Sequence, residues 1–272
     1  RAARTVALAI LIDPGRRVYV RRINVAGNTK TRDEVVRREM RQLEGSYYDA
    51  SKIQLSKTRI DRTQYFKDVN VETAPVADRT DQVDVNFTVE EKPTGAMLLG
   101  AGYSTVDKVV VSGSISQANV FGSGKFIAAQ VNSGKVNRTY ALSYVAPYFT
   151  VDGLSQGFDA YTRKSNASSL TVGAYTTETT GGGVKFGYPL SESDSVSFGF
   201  NAEHVKLGLF NDSPISYTRF ASIFGSKYTY GSGSLGWGRD SWDSSIQPTR
   251  GALTRAGGEV AEGDLKYYRL NL

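Results

Sequence analysis

The segment GSGSLG at 231–236 spells G-x-G-x-x-G, the spacing at which glycines let a backbone close around a pyrophosphate. That chemistry needs a strand before the glycines and a helix after them, and the LGWGRDSW stretch that follows has no helical period. In a chain of 272 residues with 28 glycines, a chance match is the better account. FGSGK at 121–125 lacks the spacing of a phosphate loop and reads as a turn. Glu90 with Glu91, and Asp240 with Asp243, have the residue types of a general acid and base. Their segments are strand ends and solvent-facing turns, where solvated charge is the simpler reading. His204 is the only imidazole, and cysteine is absent, which excludes disulfide frameworks, thiolate metal sites and imidazole clusters. No catalytic constellation, cofactor or metal is expected, and the chain reads as a non-enzyme.

The chemistry that remains belongs to the backbone. TGAMLLGAGYS (94–104) is an extended segment containing Gly95, Gly100 and Gly102. Each glycine weakens a strand by roughly 0.5–1 kcal/mol relative to alanine, so this strand should pair less tightly than its neighbours. The plainer use of the same glycines is curvature, and both uses stay open.

The elements that would position such a strand come in two compositions. In RVYVRRINVAG (17–27), Val18, Val20 and Arg22 fall on one side of a strand and Tyr19, Arg21 and Ile23 on the other, before a Gly-Asn turn. TRDEVVRREMRQLEG follows as an expected helix over 32–43, with a capping box from Thr31 to Glu34, a stripe of Val36, Met40 and Leu43, and Gly45 as its stop. Residues 50–66 repeat the logic, with Ile53, Ile60 and Phe66 facing a sheet. Two alternating segments, 68–76 and 82–92, complete a β-α-α-β-β order, and in the second Val83, Val85, Phe87 and Val89 share a face. Residues 17–92 thus read as a small α+β domain, with 93–95 as a boundary.

After that boundary no convincing helical period is found. Ten two-period segments follow, at 96–104, 108–117, 124–133, 137–147, 154–163, 182–190, 194–207, 228–239, 251–261 and 264–272. Most approach the 9–11 residues with which a tilted strand crosses a bilayer. DSVSFGFNAEHVKLG (194–208) shows the pattern, with Val196, Phe198, Phe200 and Ala202 opposite Ser197, Gly199, Asn201 and Glu203. Turns near 118–123, 148–153 and 190–193 read as short, and connections at 164–181 and 208–227 as long and polar, the asymmetry of an up-and-down transmembrane barrel. A soluble sandwich or a lipocalin-like barrel is the weaker alternative. VALAILI (6–12) is too short for a helical span. The net charge of +6 suits anionic surfaces, whether lipid or nucleic acid.

RRINVAGNTKTRDEVVRREMRQLEG, SKTRIDRTQYFKDVNVET and DQVDVNFTVEEKPTG resemble the last polypeptide-transport-associated (POTRA) domain of the BamA family of outer-membrane β-barrel assembly factors. GAGYST, NVFGSGK, SYVAPYFTVDG and QPTRG resemble the first strand and periplasmic turns of the barrel in that family, and the similarity runs from about residue 17 to 272. It implies an α+β POTRA domain (17–92) followed by the amino-terminal part of an antiparallel transmembrane β-barrel (93–272), with 1–16 as the tail of a preceding POTRA domain. The family's barrel has sixteen strands, so further strands are expected beyond Leu272. The resemblance implies outer-membrane localisation with the POTRA domain in the periplasm, and assembly of barrel proteins through a lateral gate. Gly95, Ala96, Met97, Leu98, Leu99, Gly100, Ala101, Gly102 and Tyr103 would then template an incoming client strand. Arg37, Arg38, Glu39, Met40 and Arg41, as an exposed helix face, would dock accessory lipoproteins. Unfolded outer-membrane proteins, periplasmic chaperones and outer-membrane lipid are the other implied partners; nucleic acid is not. Related POTRA-barrel transporters, for translocation and assembly or for two-partner secretion, are the alternative.

Overall fold

The computed structural model describes residues 16–77, 79–170, 174–242 and 249–272. The expected tail of a preceding domain falls almost wholly on residues 1–15, outside the described residues. The chain divides into two units between Lys92 and Pro93.

The first unit contains β1 (Tyr19–Ala26), α1 (Asp33–Arg37), α2 (Ala50–Arg62), β2 (Phe66–Val76) and β3 (Arg79–Glu91). Its sheet has the order β1-β3-β2, with β1 parallel and β2 antiparallel to the central β3. Val85, Phe87 and Val89 project from β3 into the core, as period two requires, against Ile53 and Ile60 of α2 and Phe66 and Val69 of β2. Complete burial of such side chains contributes about 1.5–3 kcal/mol each. Asp49 caps α2 by accepting from the N–H groups of Ser51 and Lys52 at 2.9 and 3.3 Å.

Two expectations for this unit are corrected. Strict alternation in β1 fails: the register shifts between Val20 and Arg22, and this bulge brings both Val20 and Ile23 to the core while Arg21 and Arg22 are exposed. The helix expected over 32–43 ends at Arg37, and its cap residue, Arg32, makes no side-chain cap. Thr31 is buried instead, its N–H bonded to Glu91 Oε1 at 2.6 Å. Gln42, only 1 % exposed, explains the early stop. Its amide donates to Ser46 Oγ at 2.7 Å and Tyr47 O at 2.9 Å and accepts from Asp49 N–H at 3.0 Å, which holds 42–49 as a loop. That loop covers the free edge of β1, with Val20 N–H to Ser46 O at 3.0 Å, Gly45 N–H to Val20 O at 2.7 Å and Tyr48 N–H to Val18 O at 2.9 Å. Leu43, expected on the buried stripe, is 67 % exposed.

Glu39 is likewise not on an exposed helix face. It is 7 % exposed and accepts from Arg59 at 2.8 Å, with Arg38 at 3.9 Å. Glu39→Lys is therefore expected to cost this domain about 2–4 kcal/mol, since it leaves Arg59 facing a like charge in a nearly dry site. Urea titration of the domain's tyrosine signal would measure it, and an unchanged midpoint would mean that the pair contributes nothing.

Among the described residues, the second unit is one antiparallel sheet of ten strands in sequential order, plus one α-helix and two short 3-10 turns. The strands are β4 (Gly95–Ser104), β5 (Lys108–Gln117), β6 (Phe126–Ser133), β7 (Asn137–Ala146), β8 (Ser155–Asn166), β9 (Tyr175–Pro189), β10 (Asp194–Leu209), β11 (Lys227–Asp240), β12 (Leu253–Gly263) and β13 (Tyr267–Asn271). All ten expected strands are present.

The helix α3 (Ile215–Phe224) corrects the expectation of a polar loop at 208–227. Tyr217 stacks on Tyr175 at 4.1 Å between ring centroids, and Phe220 meets Tyr228 edge-on at 5.6 Å. The expected loop at 164–181 shrinks as well, because β9 begins at Tyr175 and pairs with both neighbours through its Thr-Gly half. Loop asymmetry is overturned with it. At the end where β4 begins the connections are 118–125, 147–154, 190–193 and 241–252; at the opposite end 105–107, 134–136 and 264–266 are short and only 167–174 and 210–226 are longer.

Candidate functional site

The site the sequence singled out is β4, the first strand after the first unit. β4 pairs with β5 in unbroken register from Gly95↔Gln117 to Ser104↔Lys108 and forms one edge of the sheet. Every residue from Gly95 to Tyr103 is exposed. Gly95, Met97, Leu99, Ala101 and Tyr103 share one face; Ala96, Leu98, Gly100 and Gly102 share the other. Gly102 has open space around a notional Cβ, and at Gly100 a Cβ would meet only the Ser112 hydroxyl at 2.9 Å. Neither glycine sits in the left-handed region. What they supply is a smooth edge without packing side chains at two positions, and the N–H and C=O groups on the side away from β5 can accept another strand.

Register then shows what each face of the sheet carries. Met97 leads through directly opposed residues to Ile115, Ala129, Leu142, Ala160 and on across β9 to Ala202. A parallel row runs from Ile127 through Tyr144, Phe158 and Val184 to Phe200 and ultimately Val260. Met97, Ile115, Leu142, Phe158, Phe200 and Val260 are all among the exposed large hydrophobic residues. An exposed apolar surface of this extent is foreign to water-soluble monomers. On β10 the face runs from Val196 to Lys206, ten steps along the strand; at about 3.3 Å each and a tilt of about 40° that is roughly 25 Å of depth, the height of a barrel's lipid-facing band.

The opposite face is polar. Asp159 accepts from Ser143 at 3.0 Å and pairs with Lys185 at 2.6 Å. Glu203 accepts from the hydroxyls of Tyr161 and Tyr230 and from the Asn201 amide. Tyr267 donates to Glu259 at 2.5 Å. Tyr175 and Tyr228, which α3 covers, lie on this face by register. These groups escaped notice in the sequence because they are scattered over seven strands; the signal available was the polar half of each alternation.

The residues tested for solution chemistry do not assemble. GSGSLG lies within the uninterrupted strand β11, with no helix after it. His204 is 2.8 Å from Thr229 Oγ1 on the apolar face. Among the described residues no group of His, Asp and Glu is arranged to hold a metal ion. Glu91 has a structural use: burial pushes its carboxyl up, but hydrogen bonds from Thr31, Thr29 and the Lys30 N–H outweigh this and hold it below the ordinary range. Asp243 lies outside the described residues. Of the five residues expected to dock lipoproteins, Arg37 alone is exposed, paired with Asp33 in α1, and Glu39 is buried.

Residues 119–272 match the family described as the Omp85 superfamily domain, and residues 18–92 match POTRA, described as surface antigen variable number repeat. The chain is 40% identical over 277 aligned residues to the outer membrane protein assembly factor BamA of Neisseria meningitidis serogroup B, covering 97% of this chain and 35% of that protein. Among solved structures it is similar to BamA from Haemophilus ducreyi lacking POTRA domains 1–3, with a TM-score of 0.69 and 28% identity over 95% of this chain and 51% of that one. CdiB from Acinetobacter baumannii shares the fold, with a TM-score of 0.58 at 11% identity over 93% of this chain and 47% of that one. The chain spans about a third of the length of the curated relatives it matches.

Proposed function

Because this chain belongs to the Omp85 superfamily, with a POTRA domain ahead of antiparallel barrel strands, we propose that it serves outer-membrane protein assembly, as the names of its relatives describe. The protein resides in the outer membrane, with lipid against the Met97–Phe200 face and the POTRA domain in the periplasm. What supports the mechanism is β4: it follows the POTRA domain directly as the first strand of the sheet and carries Gly95, Gly100 and Gly102 in its pairing with β5.

Insertion then needs no bond-making side chain, and the protein acts without enzymatic chemistry or cofactor. A client strand arriving at β4 trades unsatisfied backbone groups for ladder hydrogen bonds, each worth several kcal/mol where no water competes. Its outward side chains enter hydrocarbon in the same step, continuing the row that starts at Met97 and Leu99. Gly100 and Gly102 lower the cost of displacing whatever strand occupies the edge between clients. Unfolded barrel proteins are the substrates, delivered from the periplasm by chaperones. Accessory lipoproteins engage the POTRA domain on the exposed side of α1 at Arg37, with Glu39 serving the interior.

Single cysteines at Met97, Leu99 and Ala101 of the full-length protein, paired with cysteines in the terminal strand of a stalled client, test this reading. Disulfides should form at these positions in a register stepping by two residues. Equal yields from cysteines on β8, far from the edge, would overturn templating by β4.

A further inference from the structure

A row of charges crosses the apolar face. Through directly opposed positions, Arg138 of β7, Lys164 of β8, Glu178 of β9, Lys206 of β10 and Lys227 of β11 lie side by side. With strands about 4.8 Å apart the row is roughly 19 Å long. It holds four cations and one carboxylate: the oxygens of Glu178 are each 3.7 Å from a lysine, Lys164 on one side and Lys206 on the other. All four cations are exposed. On the same face, one step further along the strands, lie Tyr140, Thr162, Thr180, His204 and Thr229, and beyond them the apolar rows. The charges sit near the strand ends opposite to the end where β4 begins.

A lone lysine at the rim of a lipid-facing strand extends its ammonium to water and needs no ligand. Four cations spread over five consecutive strands, two on each side of a single carboxylate, leave an excess of positive charge, an arrangement that gains stability when further anions come between them. The surface thus offers hydrocarbon contact along Leu142, Phe158 and Phe200 and, at its rim, positive charge spread over about four strand spacings. We infer that this rim binds a membrane lipid carrying more than one phosphate, its acyl chains along the apolar rows and its phosphates between Arg138, Lys164, Lys206 and Lys227. Several phosphates spaced along the row suit four cations spread over roughly 19 Å better than a single phosphodiester does. The inference rests on the membrane reading above, which puts this rim at the lipid-facing strand ends opposite to the start of β4.

The test uses the full-length protein in lipid nanodiscs, with retained lipid counted by native mass spectrometry. The probes are a bis-phosphorylated acylated diglucosamine, its dephosphorylated form, phosphatidylglycerol and inorganic phosphate. The native protein should retain the bis-phosphorylated lipid selectively. The combined variant R138Q/K164Q/K206Q/K227Q should bind it at least about tenfold more weakly, and R163Q, on the polar face of β8, should leave binding unchanged. K164Q/K206Q alone should show a smaller loss in the same direction, which keeps the test readable if the fourfold variant folds poorly. Equal retention by native and variant proteins overturns the inference, as does equal retention of the dephosphorylated lipid or of phosphatidylglycerol, or displacement by inorganic phosphate alone. A spin label at Phe200→Cys separates the two readings. A label in hydrocarbon with charge-insensitive binding sinks the lipid site alone, and a label in water sinks both.

Discussion

Phe200→Arg should destabilise the folded full-length protein in a bilayer by about 2–4 kcal/mol, the cost of a cation near the middle of a barrel's lipid-facing band. Phe200 is 64 % exposed and sits six residues up β10 from Asp194, between Val184 and Gly233 on the neighbouring strands. At that exposure on the apolar face, the substituted guanidinium would meet hydrocarbon. Gln130→Arg provides the contrast. Gln130 is exposed on the polar face, opposite Ser114 and Ala141, where an added cation stays in water and should change stability by less than about 0.5 kcal/mol. Folding titrations in liposomes, followed by the shift of the folded band in unheated gels, would compare the two. A face in contact with water would tolerate both substitutions alike, because an exposed position carries no packing to lose.

That test works because alternation alone separated the two faces, and it did so wherever both neighbours of a strand enforce the pleat. In β10 the sequence order Val-Ser-Phe-Gly-Phe-Asn is already the structure: a one-residue slip would carry Phe198 and Phe200 to the polar side, so the register is strongly specified. Alternation misleads where a residue is inserted, as at Arg21 and Arg22, because a bulge has no signature in side-chain hydrophobicity. It is silent where a strand contains no large apolar group, as in the TTETTGGG half of β9. There, pairing on both sides and contacts such as Thr162 Oγ1 to Thr180 Oγ1 at 2.9 Å extend the ladder. Helical period failed at both ends of its range. It prolonged α1 past Arg37, where the buried Gln42 amide binds loop backbone instead, and it missed α3, whose Pro214 start and Gly225 stop at φ +85° were visible. The edge strand at Gly95–Tyr103 was legible as an element, but its faces were not, since Leu98 and Leu99 break the apolar-polar order. The cationic row was hidden for a different reason: it exists only across five strands, and no single segment displays it.

The Gly-Asn turn after β1 was the most local of these signals, and it carries the largest single expected loss in the first unit. Gly27 has φ +92°, and a Cβ there would stand 2.0 Å from the carbonyl oxygen of Val89 and 3.0 Å from its carbon. Val89 lies on the central strand, opposed to Val69 on β2 and buried on the core side, so its peptide has no direction in which to retreat. Gly27→Ala therefore combines the left-handed penalty of about 1–2 kcal/mol with a displacement of the ladder, and about 3 kcal/mol or more is expected in total. Gly45→Ala isolates the first contribution. Gly45 has φ +75° but no atom within 4 Å of a notional Cβ, and only about 1 kcal/mol should be lost there. Since small domains hold only about 5–15 kcal/mol against unfolding, the first substitution should shift the denaturant midpoint of the POTRA domain severalfold more than the second. Equal shifts would mean that the β1–α1 turn can swing away from β3, and that its close approach to the central strand is not what fixes the domain.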